Sequence, residues 1–320
     1  MKAVVYDKSN FPDTLVLREL EKPIPDDNEV LVKIFAVSVN AADYRSMKLG
    51  IIPKGKIFGA DIAGRIEAVG KNIKKFKAGD EVFGDTASCG FGGFAEYVSV
   101  TESVLVLKPM NVPFETAAAV PMAAVTALQA LRDKGNIQPK KKVLVCGAGG
   151  GVGTFAVQLA KYYGAEVTAV CGEKNVEVIQ SLGADHVINY NKEDFTSGGK
   201  RYDLVLAVNG KHSLTAYKRV LAPKGIVVMV GGALSQILRT MLFGGLMSMG
   251  NKKMQLLKAK SDTEDLKFII KLVEEGKVKP VIDRCYPLNE TPKAVKYLSE
   301  GHAGGKVVIN VKDCRENLNL

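Results

Sequence analysis

Residues 143–154 read VLVCGAGGGVGT. Three apolar, partly β-branched residues (Val143, Leu144, Val145) run into glycines at Gly147, Gly149, Gly150, Gly151 and Gly153. The chain then continues as FAVQLAKYYG. In that continuation Phe155, Leu159 and Tyr162/Tyr163 recur at helical spacing, and Gly164 stands where a helix should stop. Strand, glycine turn and helix together are the layout of a dinucleotide site. The glycines permit a tight turn and a close approach of backbone N–H groups to a pyrophosphate, which rests on the positive end of the helix. A glycine motif alone is a weak signal, so the flanking strand and helix carry the reading.

The downstream sequence continues the alternation. GAEVTAVCG reads as a second strand, NVEVIQSLG as a helix and ADHVINY as a third strand. YDLVLAV and GIVVMVGG are a fourth and fifth strand, with KHSLTAYKRVLAPKG helical between them. Strands alternating with helices of this size predict an α/β fold with a doubly wound parallel sheet. Residues 1 to about 110 have another character, with strand-like runs (MKAVVY, LVLREL, EVLVKIFAVSVN, GADIAGRIEAVG, GDEVFG, FAEYVSV), turns rich in Gly and Asp, and no long helix-period segment. The uncharged run from Thr116 to Leu131 reads as a buried helix. Ser261 is expected to open a helix in a capping box with Glu264, VKPVIDRCYPL to form a strand, and KVVINV to close the chain as another. The expected domains are therefore 1–119, a parallel-sheet domain at 120–255, and a return to the first domain at 256–320.

At 320 residues the length suits two domains, each with its own core. The N-terminus shows neither the apolar core of a secretory signal nor the character of a transit peptide. With five unclustered cysteines, it predicts a cytoplasmic chain with reduced thiols. A net charge of +10 raises nucleic acid or anionic membrane as partners. Yet no basic run exceeds Lys140–Lys142 and no aromatic-interleaved basic patch appears, so no nucleic-acid partner is expected.

The motifs VSVNAADYR, FGADIAGRIEAVG, GDEVFG, the glycine run with VQLAK, AVCGEKN, SLGADHVINY, EEGKVKPVID and GHAGGKVVI resemble the medium-chain dehydrogenase/reductase superfamily, in its zinc-less quinone oxidoreductase branch. The resemblance spans essentially the full length. It implies a GroES-like β domain interrupted by a Rossmann domain, with the active-site cleft between, and an NADPH-dependent reductase of α,β-unsaturated carbonyls or quinones. Where zinc-dependent relatives carry a His-Glu pair, this chain has Gly59-Ala60-Asp61. It has no Cys cluster, and its three histidines lie far apart. A catalytic zinc takes about three protein ligands, so no metal is expected.

A ribose-binding carboxylate would be expected at the end of the second strand, about 20 residues past the glycines. Cys171-Gly172 stands there instead, with Glu173 one step on. Lys174 and Tyr190 match positions that in relatives hold a 2′-phosphate, which predicts NADPH, and Asn175 is a candidate helix cap. The resemblance further assigns Gly149, Gly150, Gly151 and Val152 to the pyrophosphate. Asn209, Gly231 and Gly232 fall at strand ends, and Gly304, Gly305 and Lys306 match a closing loop that in relatives lies near the nicotinamide. Thr126 either faces the cofactor or bonds its own backbone. Asn40 and Asp43 match polar residues near the nicotinamide, as catalytic groups or as buried groups holding the barrel together. Arg45 stands where many quinone reductases have a tyrosine.

The Met-rich segment Ile237–Met254 reads as a lid or an interface, with peripheral membrane contact ranked third. The expected ligand is a small apolar carbonyl or quinone, and the expected state a monomer or homodimer. The competing reading is a nucleotide-binding protein without turnover, since fold does not fix function.

Overall fold

The computed structural model describes residues 1–7, 14–208, 212–231, 240–241, 248, 251–301 and 303–311. These fall into two compact units. One holds Met1–Ala123, Ser261–Glu275 and Pro280 onward; the other holds Ala124–Lys260 and Gly276–Lys279.

In the second unit β8 (Lys142–Cys146) passes through the glycine turn into α4 (Gly151–Tyr162). It is followed by β9 (Glu166–Cys171), α5 (Val176–Ser181), β10 (His186–Asn189), β11 (Tyr202–Val208), α6 (Leu214–Arg219), β12 (Leu221–Val230) and β13 (Lys253–Leu256). The sheet order is β10-β9-β8-β11-β12-β13, with every neighbouring pair parallel. In order of appearance this is 3-2-1-4-5-6, the doubly wound dinucleotide topology. Val143, Leu144 and Val145 are fully buried, as are Leu204, Val205 and Leu206. Such unbroken apolar runs belong to strands covered on both faces. Helix α4 buries Phe155, Ala156, Leu159 and Ala160 in the same core.

Two glutamines secure this unit. Gln158 of α4, itself buried, donates from Nε2 to the Lys279 carbonyl at 3.0 Å and accepts from the Lys279 N–H at 2.7 Å. Gln129 treats Lys260 the same way, at 2.9 and 3.0 Å. In each case a side-chain amide stands in for a peptide group and pins a crossing segment that no sheet holds.

In the first unit the long strand β3 (Glu29–Val39) is the shared element. Along its length it pairs antiparallel with β4 (Asp61–Val69), with β6 (Tyr97–Thr101) over its first half and with β15 (Lys306–Asn310) over its last residues. Strands β5 (Glu81–Asp85) and β7 (Leu105–Leu107) extend the sheet beyond β4, and β14 (Ile282–Pro287) pairs parallel with β15. Strands β1 (Lys2–Tyr6) and β2 (Leu15–Glu19) form a separate ribbon. Val30, Val32, Val37, Ile62, Ile66 and Phe94 fill the core.

Two expectations need correction, and two elements add to the sequence reading. The β-rich region contains a helix, α1 (Ala41–Lys48), whose cap is the Asn40–Asp43 capping box. Eight residues are too few for helical periodicity to stand out. The run 116–131 is broken into α2 (Phe114–Ala118) and α3 (Pro121–Gln129), the latter followed by a π-helical turn at Ala130–Lys134. Pro121 supplies no N–H and disfavours helical geometry before it. Helix α7 (Thr263–Glu274) is capped by Asp262, which accepts from Glu264 N and Asp265 N, and not by Ser261. Finally, Lys253–Leu256 extends the parallel sheet by a sixth strand, where the sequence showed only the tail of a Met-rich stretch. Most of Ile237–Met254 lies outside the described residues, as do Asn209 and Gly232.

The Gln158 clamp yields a direct test. Gln158→Leu should lower stability by about 1–2 kcal/mol, the usual cost of leaving backbone partners unmade, whereas Gln158→Glu, which keeps an acceptor, should cost less. Urea denaturation of the three proteins decides it; equal midpoints would remove the clamp from the account.

Candidate active site

The glycine turn is built by close packing. Gly147 sits at φ +81°, and a Cβ there would overlap the carbonyl oxygen of Val208. A Cβ on Gly153 would overlap the Gly147 carbonyl oxygen and lie 2.6 Å from Ala148 Cα. The first turn of α4 therefore rests directly on the backbone of the loop before it. Gly150 is different: it is the N-cap residue of α4, and the only neighbour a Cβ would meet is the Gly147 carbonyl oxygen at 3.8 Å. Space thus lies open at the mouth of the helix, beside the first-turn N–H groups of Gly151, Val152 and Gly153 that no helical carbonyl can reach. A pyrophosphate fits that opening on charge and on donors. Gly149 faces the amide of Asn175, whose side chain makes no capping hydrogen bond to α5 and lies over the turn.

At the end of β9, Gly172 is buried and meets the Tyr190 hydroxyl, which would stand 2.8 Å from a Cβ at that position. The Tyr190 N–H donates to the Cys171 carbonyl at 3.1 Å, so β9 and the residue after β10 are held together. Lys174 is exposed in the short turn that follows. Glu173, next to Lys174 in the chain, accepts from Lys192 Nζ at 2.6 Å. The sequence places Glu173 one step past the ribose position; here it is turned to a lysine 19 residues on. Thr126 is partly exposed on α3, and Gly231 sits at φ +70° just after β12.

The first unit holds a second cluster. Because Val307 pairs with Val39, and Ser38 with Asp61, the register brings Lys306, Asn40, Ser38 and Asp61 to one end of the sheet. Lys306 Nζ is buried and donates to Asn40 Oδ1 at 2.6 Å, with Asp61 Oδ2 at 3.4 Å. Asn40 Nδ2 donates to Asp61 Oδ2 at 2.8 Å and to the Ser38 carbonyl at 3.3 Å. Asp61 further accepts from Ser38 Oγ at 3.0 Å and from the Met122 N–H at 3.0 Å. Both ends of the Asn40 amide are thus engaged. Asp43 accepts from the N–H groups of Asn40 and Gly59, at 2.7 and 3.0 Å, and so ties α1 to the loop before β4. Gly305 adopts φ +154°, and a Cβ there would meet the Val281 carbonyl oxygen at 2.5 Å.

The sequence flagged Asn40, Asp43 and Lys306 but treated Asp61 only as a missing metal ligand, and it passed over Ser38 and Asp85. A polar residue opening an apolar strand, as Asp61 does in DIAGRI, is the signal that could have found it. Asp85 is the cross-strand partner of Asp61. Burial, and then the Asp61 charge, push its carboxyl up to about 6. Burial pushes Asp43 up to about 7 against its two backbone hydrogen bonds. Burial also lowers the Lys306 ammonium, opposed by Asp61. The two thiols of the parallel sheet are inert by the same physics: burial raises Cys146, and raises Cys171 to about 11.

Two outcomes follow from this cluster. Lys306→Met leaves the Asp61 carboxylate buried without its cation, and should cost about 3–5 kcal/mol. Adding Asp61→Asn should recover much of that loss in urea titrations, and a double variant no better than the single one refutes the pairing. The pH dependence has a definite sign. A carboxyl with a raised native pKa still holds its proton after the unfolded chain has lost its own, so it stabilises the fold below about pH 4. That stabilisation disappears as the pH climbs through 6 for Asp85 and 7 for Asp43. The urea midpoint should therefore fall between about pH 4 and 7, and less steeply in Asp85→Asn.

Comparison with known proteins agrees with both units. Residues 26–110 match the family described as the alcohol dehydrogenase GroES-like domain, and residues 182–309 the family described as zinc-binding dehydrogenase. The chain is 36% identical over 301 residues to the chloroplast envelope quinone oxidoreductase homolog of Arabidopsis thaliana, covering 90% of this chain and 91% of that one. It is 33% identical to the chloroplastic NADPH-dependent alkenal/one oxidoreductase of the same plant, across 97% of this chain and 79% of the relative. Among solved structures, the quinone oxidoreductase from Coxiella burnetii superposes with a TM-score of 0.88 at 29% identity, covering 98% of this chain and 99% of the other. The chain belongs to the medium-chain dehydrogenase/reductase superfamily, in its quinone oxidoreductase branch.

Proposed function

We propose that this protein is an NADPH-dependent, zinc-independent reductase that saturates the C=C bond of α,β-unsaturated carbonyls or reduces a quinone. The observation that carries the reading is the end of β9, where Gly172 lies against the Tyr190 hydroxyl, Lys174 is exposed two residues on, and the adjacent Glu173 is paired to Lys192. A cation and a phenol donor suit a dianionic 2′-phosphate, and a ribose hydroxyl would call for a carboxylate instead. The names of the Arabidopsis relatives support the substrate class.

The residues present do not fit a catalytic zinc. Among the described residues no group of three or more His, Cys, Asp or Glu side chains could hold a metal. The Asp61 carboxylate is already engaged by Ser38, Asn40, Lys306 and a backbone N–H, so its negative charge faces an ammonium.

Bound NADPH supplies the hydride, which goes to the β-carbon of an enone while a proton completes the α-carbon. The chain itself binds and orients. The first turn of α4 holds the pyrophosphate, Lys174 and Tyr190 hold the 2′-phosphate, and Gly153 keeps the helix mouth close to the turn. Engagement of the Asn40 amide from both sides makes it a positioning group in this reading.

Steady-state oxidation of NADPH and NADH with a panel of enals, enones and quinones, in the presence of a chelator, tests the proposal. Turnover with NADPH is expected to survive chelation. In Lys174→Ala/Tyr190→Phe the KM for NADPH should rise about tenfold or more, the scale of a lost charge-assisted contact, while the KM for NADH stays nearly unchanged. A native preference for NADH, dependence on added zinc, or binding without turnover would each overturn it.

A further inference from the structure

Strand β14 carries one residue more than its partner. It runs parallel to β15, yet Ile282 stands opposite Lys306 and Arg284 opposite Val307, so two steps along β14 match one along β15. Asp283 is the residue left over. Such bulges are rare in parallel pairs, and a bulge re-aims a side chain that strict alternation would place elsewhere. The side chain re-aimed here is a carboxylate. Asp283 Oδ2 accepts from the Gly304 N–H at 3.1 Å and from the Tyr297 hydroxyl at 2.7 Å. Gly304 lies in the loop that opens β15, and Tyr297 on α8 (Thr291–Ser299), the helix before that loop.

Two further contacts fasten the same loop. The Lys306 N–H donates to the Val281 carbonyl at 2.8 Å, and Gly305 is pressed so close to that carbonyl oxygen that no side chain fits. Three successive residues, Gly304, Gly305 and Lys306, are thus fixed against the entry of β14. From the last of them the side chain runs inward to Asn40. Tyr297 is held in its turn, because the Arg284 guanidinium lies over its ring, 4.1 Å from the centroid. Burial, and then the Asp283 carboxylate, raise the phenol above its ordinary pKa, so the hydroxyl keeps its proton and donates.

The strand pairing does not call for this arrangement. The ladder between β14 and β15 starts at Ile282 and Lys306, and Gly304 precedes it. A half-buried loop N–H can bond to water at little net cost. The bulge instead gives it a charged acceptor, stronger than a neutral one, whose direction a second donor fixes.

We infer that Asp283 and Tyr297 are positioning residues for the proposed reduction: the bulge carboxylate, oriented by the phenol, holds Gly304 and so sets where Lys306 meets Asn40. This rests on the function proposed above, in which Asn40 positions the reacting groups, and it names the part of the chain that positions Asn40. Neither residue is a catalytic group. Their effect is geometric, and a displacement of about 1 Å at a reacting centre can cost about a hundredfold in rate.

The test compares wild type, Asp283→Ala, Asp283→Asn and Tyr297→Phe in steady-state kinetics, in the fluorescence of bound NADPH and in urea midpoint. In Asp283→Ala kcat should fall about tenfold or more, while the KM for NADPH stays within about threefold, because the glycine turn and the end of β9 hold the phosphates. The fluorescence of bound NADPH, which reports how firmly the reduced nicotinamide is held, should fall toward that of the free cofactor. Asp283→Asn keeps an acceptor oxygen and should recover most of both signals; Tyr297→Phe should lower both by a smaller factor. Should Asp283→Ala fail to fold, Tyr297→Phe, which removes one hydroxyl from a half-buried ring, decides the matter. A lower urea midpoint with kcat and NADPH fluorescence unchanged would show a merely structural latch and overturn the inference. So would a raised KM with kcat intact. Wild type that binds NADPH without turnover overturns the function proposed above instead, and the fluorescence comparison then decides the positioning role by itself.

Discussion

Strand β8 can hand the chain to α4 in so short a turn because backbone meets backbone there. Gly147 lies against Val208 at the end of β11, and Gly153 lies against Gly147 itself. A side chain at either position would force the helix away from the sheet. With it would move the alignment of the first-turn N–H groups and the packing of Phe155 and Leu159 against the strands. The open face at Gly150 exists because Gly147 and Gly153, three residues to either side, absorb the crowding. Cofactor site and core packing thus rest on the same contacts, and neither can be altered alone.

The first unit solves a different problem. Its sheet end buries Asp43, Asp61, Asp85 and Lys306 together, more negative than positive charge in a place that disfavours both. The geometry assigns the charges. Lys306 pairs with Asp61, Asp43 is held by two backbone N–H groups, and Asp85, facing Asp61 across the strands, is driven toward its neutral form. The arrangement depends on the register by which β15 returns to β3, so residues 266 positions apart meet in one hydrogen bond. An apolar cluster would stabilise as well or better; what the polar one adds is a single acceptable register, because sliding β15 by one residue would turn Lys306 to the other face.

The sequence made the second unit legible because its signals are local. Apolar runs, glycine spacing and helical periodicity each lie within a dozen residues, and strand order follows from the handedness of parallel crossovers. Lys253–Leu256 escaped because it is a short edge strand, two of its four residues polar, at the end of a Met-rich stretch. Asn40 and Asp43 were legible as polar residues in an apolar setting, but their joint role at the cap of α1 was not, since an eight-residue helix barely shows a period. Asp61 and Asp85 were harder still. Their meeting is set by pairing between strands 24 residues apart, and a single sequence carries pairing only weakly. Glu173 shows the same limit on a small scale, since its partner Lys192 belongs to another strand's loop.

The two edges of the parallel sheet are chemically unequal for a reason that follows from the winding. At the carboxyl edge the helices begin, so open N–H groups and positive dipole ends collect there, and few charged side chains are needed to hold an anion. At the amino edge the helices end, and their dipoles repel an anion. Any anion site at that edge must be built from side chains. Lys142, which opens β8, and Lys200 and Arg201, which lie in the loop just before β11, are side chains at that edge. The loop from β10 to β11 crosses the sheet without a helix, so no helix carboxyl end, and no negative dipole end, is added at that point of the edge.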